Sequence, residues 1–229
     1  ASFVSEDGLI MTNHHCSEWH RDAVESSGED LKETGFYAED IEDERPVPGM
    51  FAYRLDFIKD VTEEVLAEFR KAGSNIERNR RRNEAIERIQ KKYSEETGLE
   101  CNISVLYNGA KYSVYGYRKF TDIRLVFIPE KSIAYFGGDY DNFTFPRYNL
   151  DCTFFRVYDT DGKPLKTKNY FKWSDEGPKE NEVIFTVGNP GRTERLFSVS
   201  QLEFLRDVRY RNTSFQLDQI YYKLDSLKI

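Results

Sequence analysis

Five short runs rich in β-branched and aromatic residues set the limits on how this chain can fold. Each run is bounded by Gly, Asn, Asp or Pro, which is typical of separate β-strands. Their close spacing favours an antiparallel barrel or sandwich over alternating βαβ units. An Asp-Gly pair within YDTDGKPL also predicts a hairpin turn. The runs are ISVLY, YSVYGY, IRLVFI, CTFFRVY and EVIFTV, and they predict a fold that is mostly β.

Helical patterns interrupt and follow these runs. From Thr62 to about Glu96, apolar residues recur at helical spacing, and KAGSN at 71–75 breaks the pattern into two helices with a tight connection. The second of these helices carries ERNRRRNE, whose arginines lie three or four residues from glutamates and indicate a solvated face with ion pairs. A long helix begins near Ser198, which is a plausible N-cap. Residues 2–12 predict a β-hairpin.

Charge and hydropathy exclude some classes of function. The net charge is −7, which argues against nucleic acid as a general partner because phosphate binding requires a basic face. No run of 18 apolar residues is present, so the sequence predicts no membrane span, and no signal peptide is visible. Both ends fall inside patterned segments, so we expect a piece of a longer protein. Three cysteines leave the redox compartment open.

All three histidines lie within MTNHHCSEWH, at His14, His15 and His20. The segment alone fits a metal site, a structural histidine pair or a catalytic base. Adjacent histidines point in different directions and no second ligand cluster is present, which disfavours a metal site. A histidine that follows a β-hairpin and precedes a cysteine resembles the signature of chymotrypsin-like proteases. Aligned in this way, His15 is the base and Cys16 forms the disulfide that anchors its loop.

Two further stretches could carry chemistry. YFGGDYDNFTFPRYNLDCTFFRVY, at 135–158, is either an irregular loop leading into a strand or a polar pocket followed by an orienting carboxylate. TVGNPGRTERL, at 186–196, lacks the ending of a P-loop and the spacing of a dinucleotide fingerprint, so it is interpreted as a tight turn before the helix at Ser198. No serine occupies a G-x-S-x-G or Gly-Asp/Asn-Ser-Gly setting, so a nucleophile is missing from these residues.

Taken in order, SFVSEDGLIMTNHHC, LVFIPEKSIAYFGGDYDNFTFPRYNLDCTFFRVYDTDGKPL and VGNPGRTERL resemble the bacterial dipeptidyl-peptidase 7 and dipeptidyl-peptidase 11 family of serine exopeptidases. The resemblance implies that His15 is the catalytic base and Asp151 the carboxylate that orients it. It also implies that Asn142, Phe143 and Arg147 line the site for the free N-terminus of the substrate. The family has tryptophan where this chain has Phe143, which keeps an aromatic wall but loses an indole donor.

The resemblance further implies an architecture and a setting. Residues 1–197 would be the N-terminal part of a chymotrypsin-like β-barrel peptidase domain, with the helical hairpin at about 62–96 inside it. Residues 198–229 would be the first helix of an inserted helical domain. The catalytic serine would lie downstream, so this fragment alone is expected to be inactive. The implied partners are peptides with a free N-terminus, in the periplasm or outside the cell, bound by a homodimer that needs no cofactor or metal. In that setting, Cys16 would pair with a cysteine just before Ala1.

Two alternatives stay open on the sequence alone. The first is a chymotrypsin-like endopeptidase, which would cut inside a peptide without needing its amino terminus. The second is a catalytically dead binding module on a protease-like barrel.

Overall fold

The computed structural model describes residues 1–138, 148–185 and 197–227. Contacts divide the chain into two compact units, Ala1–Glu182 and Val183–Ile229. All nine described strands belong to the first unit and pair antiparallel. They are β1 (Ser2–Phe3), β2 (Leu9–Thr12), β3 (Phe36–Tyr37), β4 (Arg45–Pro46), β5 (Ala52–Asp60), β6 (Glu100–Leu106), β7 (Lys111–Phe120), β8 (Ile123–Ile128) and β9 (Thr153–Val157).

The first sheet has the strand order β1-β2-β9-β8-β3, and β4 also pairs with β8. Strand β2 leads directly to the segment that contains the three histidines. It pairs with β9, with Thr12 opposite Thr153. Alternate residues of the central strands point into one apolar core, because successive side chains of a strand face opposite sides. That core includes Ile10, Leu125 and Phe155, and the last two have no measurable exposure. The sheet therefore holds together parts of the chain that are distant in sequence.

The second sheet has the order β5-β7-β6 and is covered on one face by two helices. These are α3 (Thr62–Arg70) and α4 (Asn75–Thr97), which confirm the helical hairpin predicted at about 62–96. Val65 and Val114 have no measurable exposure in a core that shares no buried residue with that of the first sheet. On the solvent side, Arg80 pairs with Glu84 and Arg81 with Glu77, each four residues apart, as the sequence predicted.

Three short helices complete the first unit, namely α1 (Glu18–Asp22), α2 (Leu31–Thr34) and α5 (Lys131–Ala134). The Asp-Gly hairpin turn is confirmed: the Gly162 N–H donates to the Asp159 carbonyl at 3.0 Å, and Gly162 has φ +74°. The N-terminal hairpin is confirmed by the pairing of β1 with β2.

Antiparallel sheets with inserted helices are confirmed, but the described strands do not pair into a closed barrel. The run EVIFTV was expected to be a strand, yet its described part, 182–185, forms none. Val183, Ile184 and Phe185 are 78%, 67% and 87% exposed, and no described strand pairs with them to supply the backbone partners that a strand requires.

The second unit contains α6 (Val199–Phe204), a π-helical turn (Leu205–Arg209) and α7 (Tyr210–Asp225). Ser198 caps the first helix: its hydroxyl accepts the Gln201 N–H, and the Gln201 side chain accepts the Ser198 N–H at 2.8 Å. The N-cap predicted at Ser198 is therefore confirmed. Within the described parts of the chain, no helix combines the length and the apolar character needed to cross a membrane.

Candidate active site

The pairing of β2 with β9 brings together two residues that are 136 positions apart. His15 follows β2 in a 3₁₀ turn, His14–Cys16, and Asp151 lies just before β9. The His15 Nδ1 atom is 2.7 Å from the Asp151 Oδ2 atom, which is a short hydrogen bond between an imidazole and a carboxylate. The two residues that the resemblance assigned to base and orienting carboxylate are therefore in direct contact.

Both oxygens of the Asp151 carboxylate are engaged. Oδ1 accepts the backbone N–H of His15 at 3.1 Å, while Oδ2 accepts the Asn13 side-chain amide at 3.1 Å as well as the imidazole. The Asn13 amide also donates to the Asp151 backbone carbonyl at 3.3 Å. Because three donors converge on one carboxylate, its orientation relative to the ring is determined by both backbone and side chains.

The electrostatics favour an ionised carboxylate. Partial burial raises the pKa of Asp151, but hydrogen bonds from the His15 backbone, the His15 ring and the Asn13 amide outweigh it, so the pKa lies below its ordinary value. An anionic Oδ2 accepts a hydrogen bond from Nδ1–H, which favours the tautomer whose Nε2 lone pair is free to accept a proton. The His15 side chain is 64% exposed and Asp151 only 23%, so the ring is accessible while its carboxylate is sheltered.

The neighbours of His15 point elsewhere. His14 is 1% exposed, and burial lowers its pKa, which favours the neutral ring. The His20 ring meets Phe155 edge-on, with centroids 6.4 Å apart. Cys16 is exposed, and no disulfide joins the three cysteines, all of which lie in the described residues. Among those same residues, no three His, Cys, Asp or Glu side chains are grouped as a metal ion would require.

Three other predicted site residues, Asn142, Phe143 and Arg147, lie outside the described residues, as does the turn at 186–196. Their proposed roles therefore stay predictions. The described chain resumes at Tyr148, and the Leu150 N–H donates to the Ile133 carbonyl at 3.0 Å, which anchors the backbone one residue before Asp151.

The structure adds two features that the sequence interpretation missed. One is the Asn13 amide, whose only signal was its position two residues before His15. The other is a buried ion pair that involves Arg156 of β9. Arg156 donates to the Glu44 carboxylate at 2.7 Å, and Tyr158 donates to the other oxygen at 2.7 Å. Nothing local marks Glu44, because its partners lie 112 and 114 residues further along the chain.

Comparisons with known proteins agree with this geometry. The family model Peptidase S46 matches residues 1–225. The chain is 32% identical to dipeptidyl-peptidase 7 of Capnocytophaga gingivalis over 86% of its own length and 29% of that protein. It is 31% identical to the Asp/Glu-specific dipeptidyl-peptidase of Shewanella putrefaciens over 96% of its own length and 32% of that protein. The chain thus spans about a third or less of these relatives.

Solved structures give the same answer. The chain matches DPP11 of Porphyromonas endodontalis, crystallised with the dipeptide Arg-Glu, at a TM-score of 0.64 and 30% identity. That match covers 78% of this chain and 28% of the DPP11 chain. The family model extends over nearly the whole sequence and includes both members of the His15–Asp151 contact. The resemblance inferred from the sequence is confirmed, and the chain belongs to the Peptidase S46 family.

Proposed function

We propose that this chain forms part of a serine dipeptidyl-peptidase that releases dipeptides from the free N-terminus of peptides. The observation that carries the proposal is the 2.7 Å contact between His15 Nδ1 and Asp151 Oδ2 in a chain of this family. The relatives named dipeptidyl-peptidase 7 and Asp/Glu-specific dipeptidyl-peptidase support the same reaction. The nucleophilic serine would come from outside residues 1–229.

In this proposal, the two described residues act as base and orienting group. With Nδ1–H donated to Asp151, His15 Nε2 takes the proton from the serine hydroxyl as the oxygen attacks the second peptide carbonyl. The imidazolium then gives that proton to the leaving amine, and Asp151 stabilises its positive charge without taking the proton. A water molecule then attacks the acyl-enzyme by the same proton transfers, which releases the dipeptide. The exposed face of the His15 ring allows a serine to approach, and the sheltered carboxylate keeps the tautomer.

A dipeptidyl-peptidase must also measure two residues from an ammonium group. We assign that task to Asn142, whose amide carbonyl can accept from the ammonium, and to Phe143, which offers a wall and a cation–π face. Arg147 cannot bind an ammonium directly, so we assign it to carbonyl groups of substrate or loop, or to pairing with Asp139 or Asp141. These hydrogen bonds would select substrates whose amino terminus is free.

The architecture and setting follow the same family. We propose a chymotrypsin-like barrel to which the first sheet contributes, and an inserted helical domain that begins with the helix after Ser198. The complete protein would act as a homodimer in the periplasm or outside the cell. Its partners would be peptides rather than nucleic acid, and the reaction would require no cofactor.

The first test replaces the two members of the contact in the complete protein. His15→Ala and Asp151→Ala should fold normally and lose at least about 10⁴-fold in kcat, because removal of either member of a triad has an effect of that order. His20→Ala and Asp161→Ala are matched controls, since neither residue touches the contact. Steady-state hydrolysis of a chromogenic dipeptide substrate measures the effect. Normal kcat in either variant of the contact would remove the assignment.

A second measurement separates the two alternatives. Acetylation of the substrate's amino group should abolish cleavage by a dipeptidyl-peptidase, whereas an endopeptidase would tolerate it. A dead binding module would bind the peptide and release no product from either form. Mass spectrometry of the products of a free and an acetylated peptide of the same sequence distinguishes these three outcomes.

A further inference from the structure

Asn13 occupies the N-cap position of the His14–Cys16 turn but does not use its side chain as a cap. An asparagine there ordinarily accepts a backbone N–H from the second or third residue of the turn. Here its backbone is extended, with φ −80° and ψ 149°, and the side-chain amide is directed instead to Asp151. The local hydrogen bond that explains most N-cap asparagines is therefore absent from this turn.

The missing cap is supplied by Asp151, which lies just before the neighbouring strand β9. Its Oδ1 accepts the backbone N–H of His15, the second residue of the turn, at 3.1 Å. Asn13 in return donates to Asp151 Oδ2 and to the Asp151 backbone carbonyl, at 3.1 and 3.3 Å. Asparagine and aspartate have thus exchanged roles, because the aspartate caps the turn and the asparagine holds the aspartate.

The backbone of Asn13 is held independently of its side chain. Its carbonyl accepts the Cys16 N–H at 3.2 Å and the Ser17 hydroxyl at 3.0 Å. Since these bonds do not involve the amide, a substitution at position 13 can remove the amide while the turn keeps its backbone contacts. The contribution of the amide can therefore be separated from that of the turn.

We propose that Asn13 is a positioning residue for the reaction: its amide orients the Asp151 carboxylate so that Oδ2 stays in line with His15 Nδ1. This inference rests on the proposed function. Two N–H donors at Oδ2 and one at Oδ1 leave the carboxylate a single orientation in which all are satisfied. Without the amide, rotation of the carboxylate would weaken the bond to Nδ1, and the imidazole would spend less time in its productive tautomer and orientation.

The test compares three substitutions in the complete protein. Asn102→Ala is the control because, within the part of the chain that the structure describes, the Asn102 side chain hydrogen-bonds to Gln90, at 3.4 Å. Asn13→Ala removes both the amide and the capacity to cap. Asn13→Ser restores that capacity without reaching Asp151. Asn13→Asp is as good an N-cap as asparagine but places a second carboxylate about 3 Å from the first. Two such groups share one proton at low pH and repel one another when both are ionised.

The proposal predicts that kcat falls about 10-fold in both Asn13→Ala and Asn13→Ser, the equivalent of one hydrogen bond to a charged group, while KM stays within about twofold. Asn13→Asp should lose more at pH 8 than at pH 5, relative to Asn13→Ala at the same pH. The pH dependence is the readout that a purely structural role would not produce. Asn102→Ala should match the unsubstituted protein.

The opposite pattern would overturn the inference. If Asn13 only shapes the turn, Asn13→Ser and Asn13→Asp keep their kcat at both pH values and only Asn13→Ala declines, in proportion to its lowered Tm. A rise in KM at constant kcat would instead make Asn13 a substrate contact and also overturn the proposal. If His15→Ala retains its turnover, the proposed function itself fails. If His15→Ala is inactive while the Asn13 series is neutral, this inference alone fails.

Discussion

At the scale of single residues, Glu44 shows how a charge can be accommodated inside the first unit. Its side chain is 2% exposed, and both of its oxygens accept hydrogen bonds, one from Arg156 and one from Tyr158. Arg156 also donates to the Asp7 carbonyl at 3.0 Å, in the turn between β1 and β2. A buried carboxylate with one partner removed is costly, so the three groups stabilise the sheet only as a set.

The pKa of Tyr158 gives this set a dependence on pH. Burial, and then the hydrogen bond to Glu44, raise the pKa of Tyr158 to about 12 from an ordinary value of 10.0. A raised pKa means that the folded state prefers the protonated phenol, so the stabilisation is complete below pH 10 and is lost as the pH rises to about 12. A rise of two pKa units corresponds to about 3 kcal/mol in the free energy of unfolding for this side chain, which is only 3% exposed.

We therefore expect Tyr158→Phe to lower the free energy of unfolding by about 1–2 kcal/mol at pH 7, because Glu44 loses a donor. Between pH 10 and 12, the substituted protein should lose less stability than the unsubstituted one, since it has no phenol to ionise at this position. Urea unfolding at several pH values measures both effects. Tyr107→Phe, at a side chain that is 78% exposed, is the control. If Tyr158→Phe and the unsubstituted protein lost the same stability between pH 10 and 12, the expectation would be contradicted.

At the scale of secondary-structure elements, the turn between β1 and β2 determines where β2 starts, and β2 is the strand that leads to His15. Gly8 has φ +72°, and a Cβ placed on it would lie 2.7 Å from the Val157 carbonyl oxygen and 2.9 Å from that of Leu165. The Val157 N–H donates to the Gly8 carbonyl at 3.0 Å. The turn thus touches the end of β9 directly, and only glycine combines the backbone angle with the close approach.

Gly8→Ala should accordingly destabilise the protein by about 3 kcal/mol or more, since it adds a collision with two backbone carbonyls to the cost of a left-handed conformation. Gly162→Ala is a matched control, because Gly162 has φ +74° and nothing lies within 4 Å of its added Cβ. That control should cost about 1–2 kcal/mol. Chemical unfolding of both variants gives the difference, and equal losses would show that the close approach at Gly8 does not matter.

Elements with a strong local period could be predicted from the sequence, whereas those that depend on a distant partner could not. The hairpin of α3 and α4, the cap at Ser198 and the turn at Gly162 each depend on residues within a few positions of one another. Strands β3 and β4 have only two residues each and exist because β8 pairs with them. The described part of the run EVIFTV, 182–185, forms no strand for the same reason, because alternation indicates a strand but cannot provide its neighbour.

At the scale of the whole molecule, the first unit contains two cores with no buried residue in common. One lies under the first sheet and includes Leu125, while the other lies between the second sheet and α3 and α4 and includes Val65. The contact between His15 and Asp151 depends on β2 and β9, which both belong to the first sheet. Damage to the second core should therefore affect stability more than the geometry of the contact.

Val65→Ala should lower the free energy of unfolding by about 2 kcal/mol and leave kcat of the complete protein within about twofold below its unfolding transition. Leu125→Ala, in the first core, should cost about 2–5 kcal/mol and also lower kcat, because Leu125 lies opposite Phe155 of β9. Unfolding curves and kinetics on the same preparations test both statements. A large loss of kcat in Val65→Ala would show that the two cores are coupled.

The candidate site could be predicted only in part, and the missing part is a matter of distance along the chain. His15 was marked by its neighbours and by the resemblance. Asp151 was marked, among 40 acidic residues, by the resemblance and by its place after the polar stretch within 135–158. No periodicity connects two positions 136 residues apart, so their contact had to come from the pairing of β2 with β9. Asn13 was overlooked because its side chain acts on a partner beyond the reach of any local pattern.

The separation of 136 residues between the imidazole and its carboxylate also has a consequence for biosynthesis. At about 5–20 residues per second, a ribosome adds Asp151 roughly 7 to 30 seconds after His15. During that interval the nascent chain carries an imidazole with no anion to align it. The contact between His15 and Asp151 can therefore form only after most of the first sheet has been synthesised.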